Sequence, residues 1–250
     1  MRIIITAGPT REHLDPVRFL SNPSTGKMGF AIAAEAARRG HEVTLVAGPV
    51  SLKTPDGVHR VDVTSAREML EKVKKSLFAS RCGDLPSEHL NIRPSDQRRN
   101  LTVFIATAAV ADWRPAKCAA KKLKKSQMSG TLKLVRNPDI LKTLARQVGG
   151  RRSTADGKDS TVQPSTFNLQ PVHLIGFAAE TDDVLAEAAR KCREKGLSFI
   201  VANDVTEKGC GFGTDTNRVT FVFPDGTLRR FPLMTKRLVA KRILDEVSRL

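Results

Sequence analysis

The sequence of 250 residues carries 42 Lys and Arg against 26 Asp and Glu, a formal net charge of +16, with 11 Phe, one Trp and no Tyr. That length suffices for one α/β domain with a sizeable core, and no apolar stretch approaches a membrane span or a signal peptide, so no membrane partner is expected. Four cysteines (Cys82, Cys118, Cys192, Cys210) lie far apart without a C-x-x-C pair, which disfavours a zinc site or disulfide framework and fits a reducing cytoplasm.

The charge raises a nucleic-acid reading. No nucleic-acid motif accompanies it, stacking aromatics are scarce, and the basic residues are spread along the chain. A phosphorylated small substrate favours a basic site equally well. A non-catalytic basic nucleic-acid binder therefore stays an alternative, and nucleic acid is not the expected partner.

Ile3-Ile4-Ile5 is a short apolar run of buried-strand length, closed by Gly8 and Pro9. From Ser24 to Arg39 apolar and small residues recur at helical spacing (Met28, Ile32, Ala33, Ala36, Ala37), with Gly40 at the stop. Glu42 to Val46 is a second strand. The result is a βαβ unit, whose ligand site lies beyond the carboxyl ends of its strands.

The strand-to-helix connection lacks G-x-G-x-x-G, which counts against an NAD(P)-dependent Rossmann oxidoreductase, the other alternative. It carries Gly8-Pro9-Thr10-Arg11 and ends Ser21-Asn22-Pro23-Ser24-Thr25-Gly26-Lys27. Hydroxyls, an amide, a glycine and an ammonium thus gather at a helix N-terminus, where free N–H groups and the dipole favour anions. Capping alone accounts for Ser24 or Thr25. It does not call for Asn22, Gly26 and Lys27 together, so an anion loop of Gly8, Ser24, Thr25, Gly26 and Lys27 is expected.

Further along, His59 to Val63 alternates as a strand, and Ser65 with Glu68 forms a capping-box pattern for a helix through Leu77. Residues 79–100, polar and broken by Pro86 and Pro94, read as a flexible surface insertion. Leu101 to Ala109 is a buried strand delivering Ala108 to Pro115 at its carboxyl end, where functional side chains collect. By composition Lys121-Lys122-Leu123-Lys124-Lys125 is a solvated charge run. Its place between the strand-end Asp112 and an expected strand over Thr131 to Val135 turns the reading toward a phosphate-binding flap.

Asn137-Pro138-Asp139 opens a helix through Val148, with Pro138 or Asp139 in its first turn. Residues 149–171, rich in Gly, Ser, Thr and charge, form a second expected insertion. Val172 to Phe177 is a strand running on into Gly176 to Thr181. Thr181 is the expected cap of a helix through Lys195, with Val184, Leu185, Ala188 and Cys192 inward and Lys191 and Lys195 one turn apart. Phe199 to Ala202 is a strand ended by Asn203-Asp204. Val219 to Phe223 and Leu228 to Phe231 make a hairpin. A last amphipathic helix carries Leu238, Val239, Ile243, Leu244 and Val247. The alternation predicts a Rossmann-like α/β fold, a mostly parallel sheet with helices on both faces, plus a flap and a C-terminal β-hairpin.

Six segments in this order (TAGPTREHLDPVRFLSNPSTGKMGFAIA, ATAAVADWRPA, the K-x-K-K at Lys122 to Lys125, LVRNPDIL, GFAAET and ANDV) resemble the bacterial phosphopantothenoylcysteine synthetases, the ligase half of the bifunctional coenzyme A biosynthesis flavoprotein. The likeness covers nearly the whole chain except the two insertions. The flavin-dependent decarboxylase half does not occur in the sequence, so a stand-alone synthetase or an excised domain is expected.

The resemblance implies a ligase joining 4′-phosphopantothenate to L-cysteine with CTP, through an acyl-cytidylate, releasing CMP and pyrophosphate. Asn22 then matches the asparagine that holds the acyl-cytidylate and assists its conversion, its amide able to donate to an acyl or phosphoryl oxygen. As the residue before a proline it also suits a plain turn. Lys122 matches the flap lysine that contacts the CTP phosphates. Asp112, Asn137, Pro138, Asp139, Ile140 and Phe177 match the nucleotide pocket, and Lys191 and Lys195 the lysines that reach the nucleotide. For Phe177 plain core, and for the two lysines a solvated helix surface, remain open readings. Arg18, Ala108 and Ala109 match a homodimer interface that holds the phosphopantothenate. Bacterial motif forms imply CTP rather than ATP, and Mg²⁺ follows from triphosphate chemistry rather than from any visible ligand cluster.

Overall fold

The computed structural model describes residues 1–78, 101–124, 130–149, 172–180 and 183–250. The insertion expected at 79–100, the 150–171 part of the second, Lys125 and Thr181 lie outside the described residues.

Period-two alternation makes the isoleucine run a strand. In β1 (Arg2–Ala7) Ile3 and Ile5 join the core on one face of the sheet and Ile4 the core on the other, all three fully buried. β1 runs parallel to β4 (Glu42–Ala47) on one side and to β6 (Thr102–Ala106) on the other, Ile3 in register with both Val43 and Val103. β5 (Val58–Asp62) continues the sheet past β4, and β9 (Val172–Glu180) and β10 (Phe199–Asp204) continue it past β6, all parallel. The hairpin β12 (Thr220–Val222) and β13 (Leu228–Arg230) closes that side antiparallel, giving the order β13-β12-β10-β9-β6-β1-β4-β5.

α1 (Lys27–Arg38) and α5 (Lys236–Val247) cover one face, burying Ile32, Ala33 and Ala36 with Val239, Ile243 and Leu244. α2 (Ala66–Phe78), α3 (Ile140–Gly149) and α4 (Val184–Glu194) cover the other through Met69, Leu144 and Ala188. Phe199, Phe221 and Phe104 are the bulkiest fully buried side chains, each contributing roughly 1.5–3 kcal/mol by leaving water. Among the described residues no helix is long and apolar enough to cross a membrane, and Cys118, Cys192 and Cys210 are free thiols.

Several boundaries differ from expectation. α1 begins at Lys27, not Ser24, because Gly26 takes a left-handed φ of 78° at the N-cap and no side chain caps the helix. Ser24 instead accepts the Gly26 N–H through its hydroxyl at 3.4 Å. Asp139 stands just before α3 rather than within it, its carboxylate accepting the Lys142 N–H at 2.9 Å. The N-cap of α4 is Asp183. The strand expected over Thr131 to Val135 is the shorter β8 (Leu134–Arg136), paired with β7 (Trp113–Pro115) outside the main sheet. Leu238 is 39 % exposed, since Val239, Ile243 and Val247 already fill the inward stripe of α5. Two further small ribbons had no sequence signal: β2 (Arg11–His13) with β3 (Phe19–Ser21), and β11 (Thr216–Asn217) with β14 (Met234–Thr235).

Candidate active site

Chain connections leave β1 and β6 in opposite directions along the sheet, and a crevice opens beyond their carboxyl ends. A cleft of about 400 Å³ fills it. Its walls are residues 22 and 24–29, 106–112, 137–141 and 177–179, with Lys195, Lys236 and parts of the 203–217 stretch.

The loop before α1 is pressed into this crevice. A Cβ on Gly29 would come within 2.5 Å of both Ala7 Cβ and Thr107 Oγ1, so only glycine lets the first helical turn reach β1 and the end of β6. Ser24, Thr25, Gly26 and Lys27 all line the cleft, whereas Gly8 lies behind it, its carbonyl accepting the Ala109 N–H at 2.9 Å. The uncapped N-terminus of α1 thus faces the cleft, as an anion site requires.

Asn22 is fixed by the opposite wall. Its Nδ2 donates to the carbonyls of Ala109 at 3.2 Å and Val110 at 3.1 Å, which ties the cleft-lining Asn22 to the 108–112 segment. The amide group expected to meet a substrate oxygen is thus bonded to the 109–110 main chain in this arrangement.

Asn137 holds the third wall together, donating to the Ala111 carbonyl at 2.8 Å while its oxygen accepts from Arg114 at 3.0 Å. Asp139 bonds Lys195 at 2.7 Å. Burial opposes its charge, but the Lys142 N–H and the Lys195 ammonium outweigh that and hold its carboxyl below the ordinary range. Asp112, Pro138 and Ile140 join this wall. Phe177 is half-buried and does two things at once, packing on the core and lining the cleft.

Four expected site residues stand outside the lining. Lys122 is exposed, and its neighbour Leu123 is tied to the 14–18 turn: Asp15 accepts the Leu123 N–H at 3.2 Å and Arg18 donates to the Leu123 carbonyl at 3.0 Å. The Arg18 guanidinium also holds the buried Asp15 carboxyl well below the usual carboxylate range. Lys191 pairs with Glu187 at 3.7 Å on the surface of α4. Gly8 is the fourth. Ala108 and Ala109 do line the cleft.

Sequence reasoning reached one wall only through the ANDV segment at 202–205 and assigned none of its residues to the site. Asn203, Val205, Cys210, Gly211, Phe212, Asn217 and Lys236 close the cleft on the α5 side. Lys27 donates to the Gly213 carbonyl at 2.8 Å and pairs with Asp215 at 2.7 Å, while Lys236 donates to the Thr214 carbonyl at 2.6 Å. Two helix-start lysines thus clasp one loop. Burial pushes the Lys236 ammonium pKa down. Beyond the ANDV segment, the sequence signal here was the glycine spacing at 209, 211 and 213.

The model of the DNA/pantothenate metabolism flavoprotein C-terminal domain matches residues 1–82, 88–155 and 162–250. The chain belongs to this family. Among its relatives is the coenzyme A biosynthesis bifunctional protein CoaBC of Escherichia coli (strain K12), 43 % identical over 250 residues, which cover 99 % of this chain and 51 % of the relative. The chain spans about half the length of the curated relatives it matches. A crystal structure of the C-terminal domain of CoaBC is 39 % identical, covers 98 % of this chain and 93 % of its own, and superposes with a TM-score of 0.67. A Cab2 variant in complex with phosphopantothenate-cysteine shares the fold, with a TM-score of 0.66 at 15 % identity over 99 % of this chain and 86 % of its own. For this family member, residues 79–100 and 150–171 stay outside the described parts of the fold.

Proposed function

We propose that the chain is a phosphopantothenate–cysteine ligase domain that uses CTP and works in the cytoplasm. The observation that carries this reading is convergence. Asn22 with residues 24–27, the 108–112 segment and the Asn137 to Ile140 helix start come from three separated stretches, yet they share one cleft at the switch point of a family member.

A carboxylate is a poor electrophile. In the first step a carboxylate oxygen of 4′-phosphopantothenate forms a bond to the α-phosphorus of CTP, and pyrophosphate leaves with the electron pair. In the second the amine of L-cysteine attacks the acyl carbon, CMP leaves, and the amine loses a proton to solvent. Both steps gather negative charge, which the α1 N-terminus would offset, with Lys27 and Lys195 reaching it by exchanging their Asp215 and Asp139 partners for substrate oxygens. Asn22 sits where the acyl-cytidylate has to be held, and Asp112 with the Asn137 to Ile140 wall and Phe177 takes the nucleoside. Lys122 approaches the triphosphate from the segment beside Arg18, and Lys191 extends the basic rim.

Mg²⁺ enters with the nucleotide. The nucleotide's phosphates would supply ligands to it, and the carboxylates of Asp112 and Asp139 on the cleft wall would be the protein groups available to hold it. A homodimer is proposed through Arg18, Ala108 and Ala109. Exposed Val17, Phe19, Trp113 and Leu134 on the two small ribbons beside Arg18 give it an apolar patch to bury.

Incubation with 4′-phosphopantothenate and CTP, with and without L-cysteine, tests the reading. Pyrophosphate should appear without cysteine and phosphopantothenoylcysteine only with it; no CTP-dependent pyrophosphate overturns the proposal. Analytical ultracentrifugation tests the dimer.

A further inference from the structure

At the α5 end of the cleft, three polar side chains are nearly sealed from water: Asn203 at 8 % exposure, Asn217 at 5 % and Lys236 at 8 %. Asn203 is committed internally, donating to the Cys210 carbonyl at 3.4 Å. The other two are not satisfied in the same way. Among the described residues Lys236 donates only to the main-chain carbonyls of Thr214 at 2.6 Å and Gly211 at 3.5 Å, while Asp215 of this loop is bonded to Lys27. The Asn217 oxygen is buried with no hydrogen-bond partner among the described residues.

A buried acceptor without a donor and a desolvated ammonium without a bonded anion are both unfavourable in isolation, and both are relieved by a ligand. They line the same cleft from one ribbon, where β11 pairs Asn217 with Met234 and Lys236 follows two residues later at the start of α5. A molecule that meets both demands carries an N–H donor next to an anionic oxygen. An α-amino acid does so with its amino and carboxylate groups. A pyrimidine edge offers a donor beside neutral acceptors, which answers the asparagine but not the cation.

We propose that this corner is the amino-acid subsite of the cleft, where the Asn217 oxygen accepts from the α-amino group and the Lys236 ammonium donates to the α-carboxylate. Cys210 and Phe212 on the same wall give the substrate side chain a soft apolar contact. The inference rests on the ligase reading, in which L-cysteine is the acceptor.

Cysteamine, which is cysteine without its carboxylate, is the discriminating probe. With the full chain, 4′-phosphopantothenate and CTP, kcat/KM is measured for L-cysteine and for cysteamine beside pyrophosphate release. The wild type should prefer L-cysteine, and Lys236→Met should shrink that preference about tenfold or more, the loss expected for one charged hydrogen bond. Asn217→Asp keeps the side-chain volume and the acceptor, and sets a carboxylate against that of the substrate, so it should shift the preference in the same direction. Equal use of the two amines by the wild type overturns the proposal without any variant. So does an unchanged preference in the folded variants, or a rise in KM for CTP with the preference intact, which would assign the corner to the base. Failure of the wild type to release pyrophosphate defeats the ligase reading instead. Calorimetric titration with L-cysteine and cysteamine then decides: carboxylate-dependent binding that Asn217→Asp weakens upholds the corner, and its absence overturns it.

Discussion

The lysine run at 121–124 and the loop at 205–217 are opposites. The run is dense in charge, yet Lys122 is exposed and its segment is anchored to the Asp15 and Arg18 turn rather than to the cleft. The loop has no such run, and it forms a whole wall because Lys27 and Lys236, distant from it or from each other in sequence, clasp its carbonyls and Asp215. Charge density along a chain predicts hydration, since exposed ions gain little from fixed partners. A single cation at a helix start is placed by the packing of the whole helix, and desolvation there strengthens every bond it makes.

Four measurements test that contrast. Asn22→Asp puts a negative charge at the centre of the cleft and should lower product formation at least about a hundredfold, comparable to losing one key polar group in a transition-state site. Mass spectrometry that finds normal turnover removes Asn22 from the mechanism. Gly29→Ala forces a methyl against Ala7 and Thr107 and should cost about 2 kcal/mol in chemical denaturation, at the overpacking level, with the cleft floor displaced. Lys122→Gln should slow pyrophosphate release about tenfold, as expected for one charge-assisted phosphate contact. A wild-type rate would leave the chemistry to the clasped wall and the anion loop alone.

The smallest effect lies away from both regions. Glu35 is 7 % exposed on α1, and Arg38, then Arg39, hold its carboxyl down to about 2 from an ordinary 4.5. A depressed pKa contributes stability above the unfolded value and loses it as pH falls through the folded one. Glu35→Gln should lower Tm by a few degrees near neutral pH, and the difference from wild type should fade between about pH 4.5 and 2. Unchanged kcat/KM in this variant marks the separation of core stability from the site.

The parallel sheet was legible because each strand needed only a local pattern. The isoleucines of β1, the strand before Ala108 and the amphipathic α5 announce themselves by period, and burial of both sheet faces then fixes the layers. Much of the cleft was legible too, since Asn22, Lys27, Asp112 and Asn137 sit at strand ends and helix starts where α/β sheets collect function. Start points were harder: α1 begins three residues late because a left-handed Gly26, not a hydroxyl, ends the loop.

Local sequence thus determined the βαβ opening, the order of elements and the polar character of the loop before α1, because periodicity and turn chemistry act over a few residues. Long-range packing alone settled that Asn22 is tied to the main chain at Ala109, that the lysine run is anchored beside Arg18, and that Asn217 and Lys236 line one buried corner. Those outcomes depend on contacts between segments up to about 200 residues apart, which no local pattern encodes.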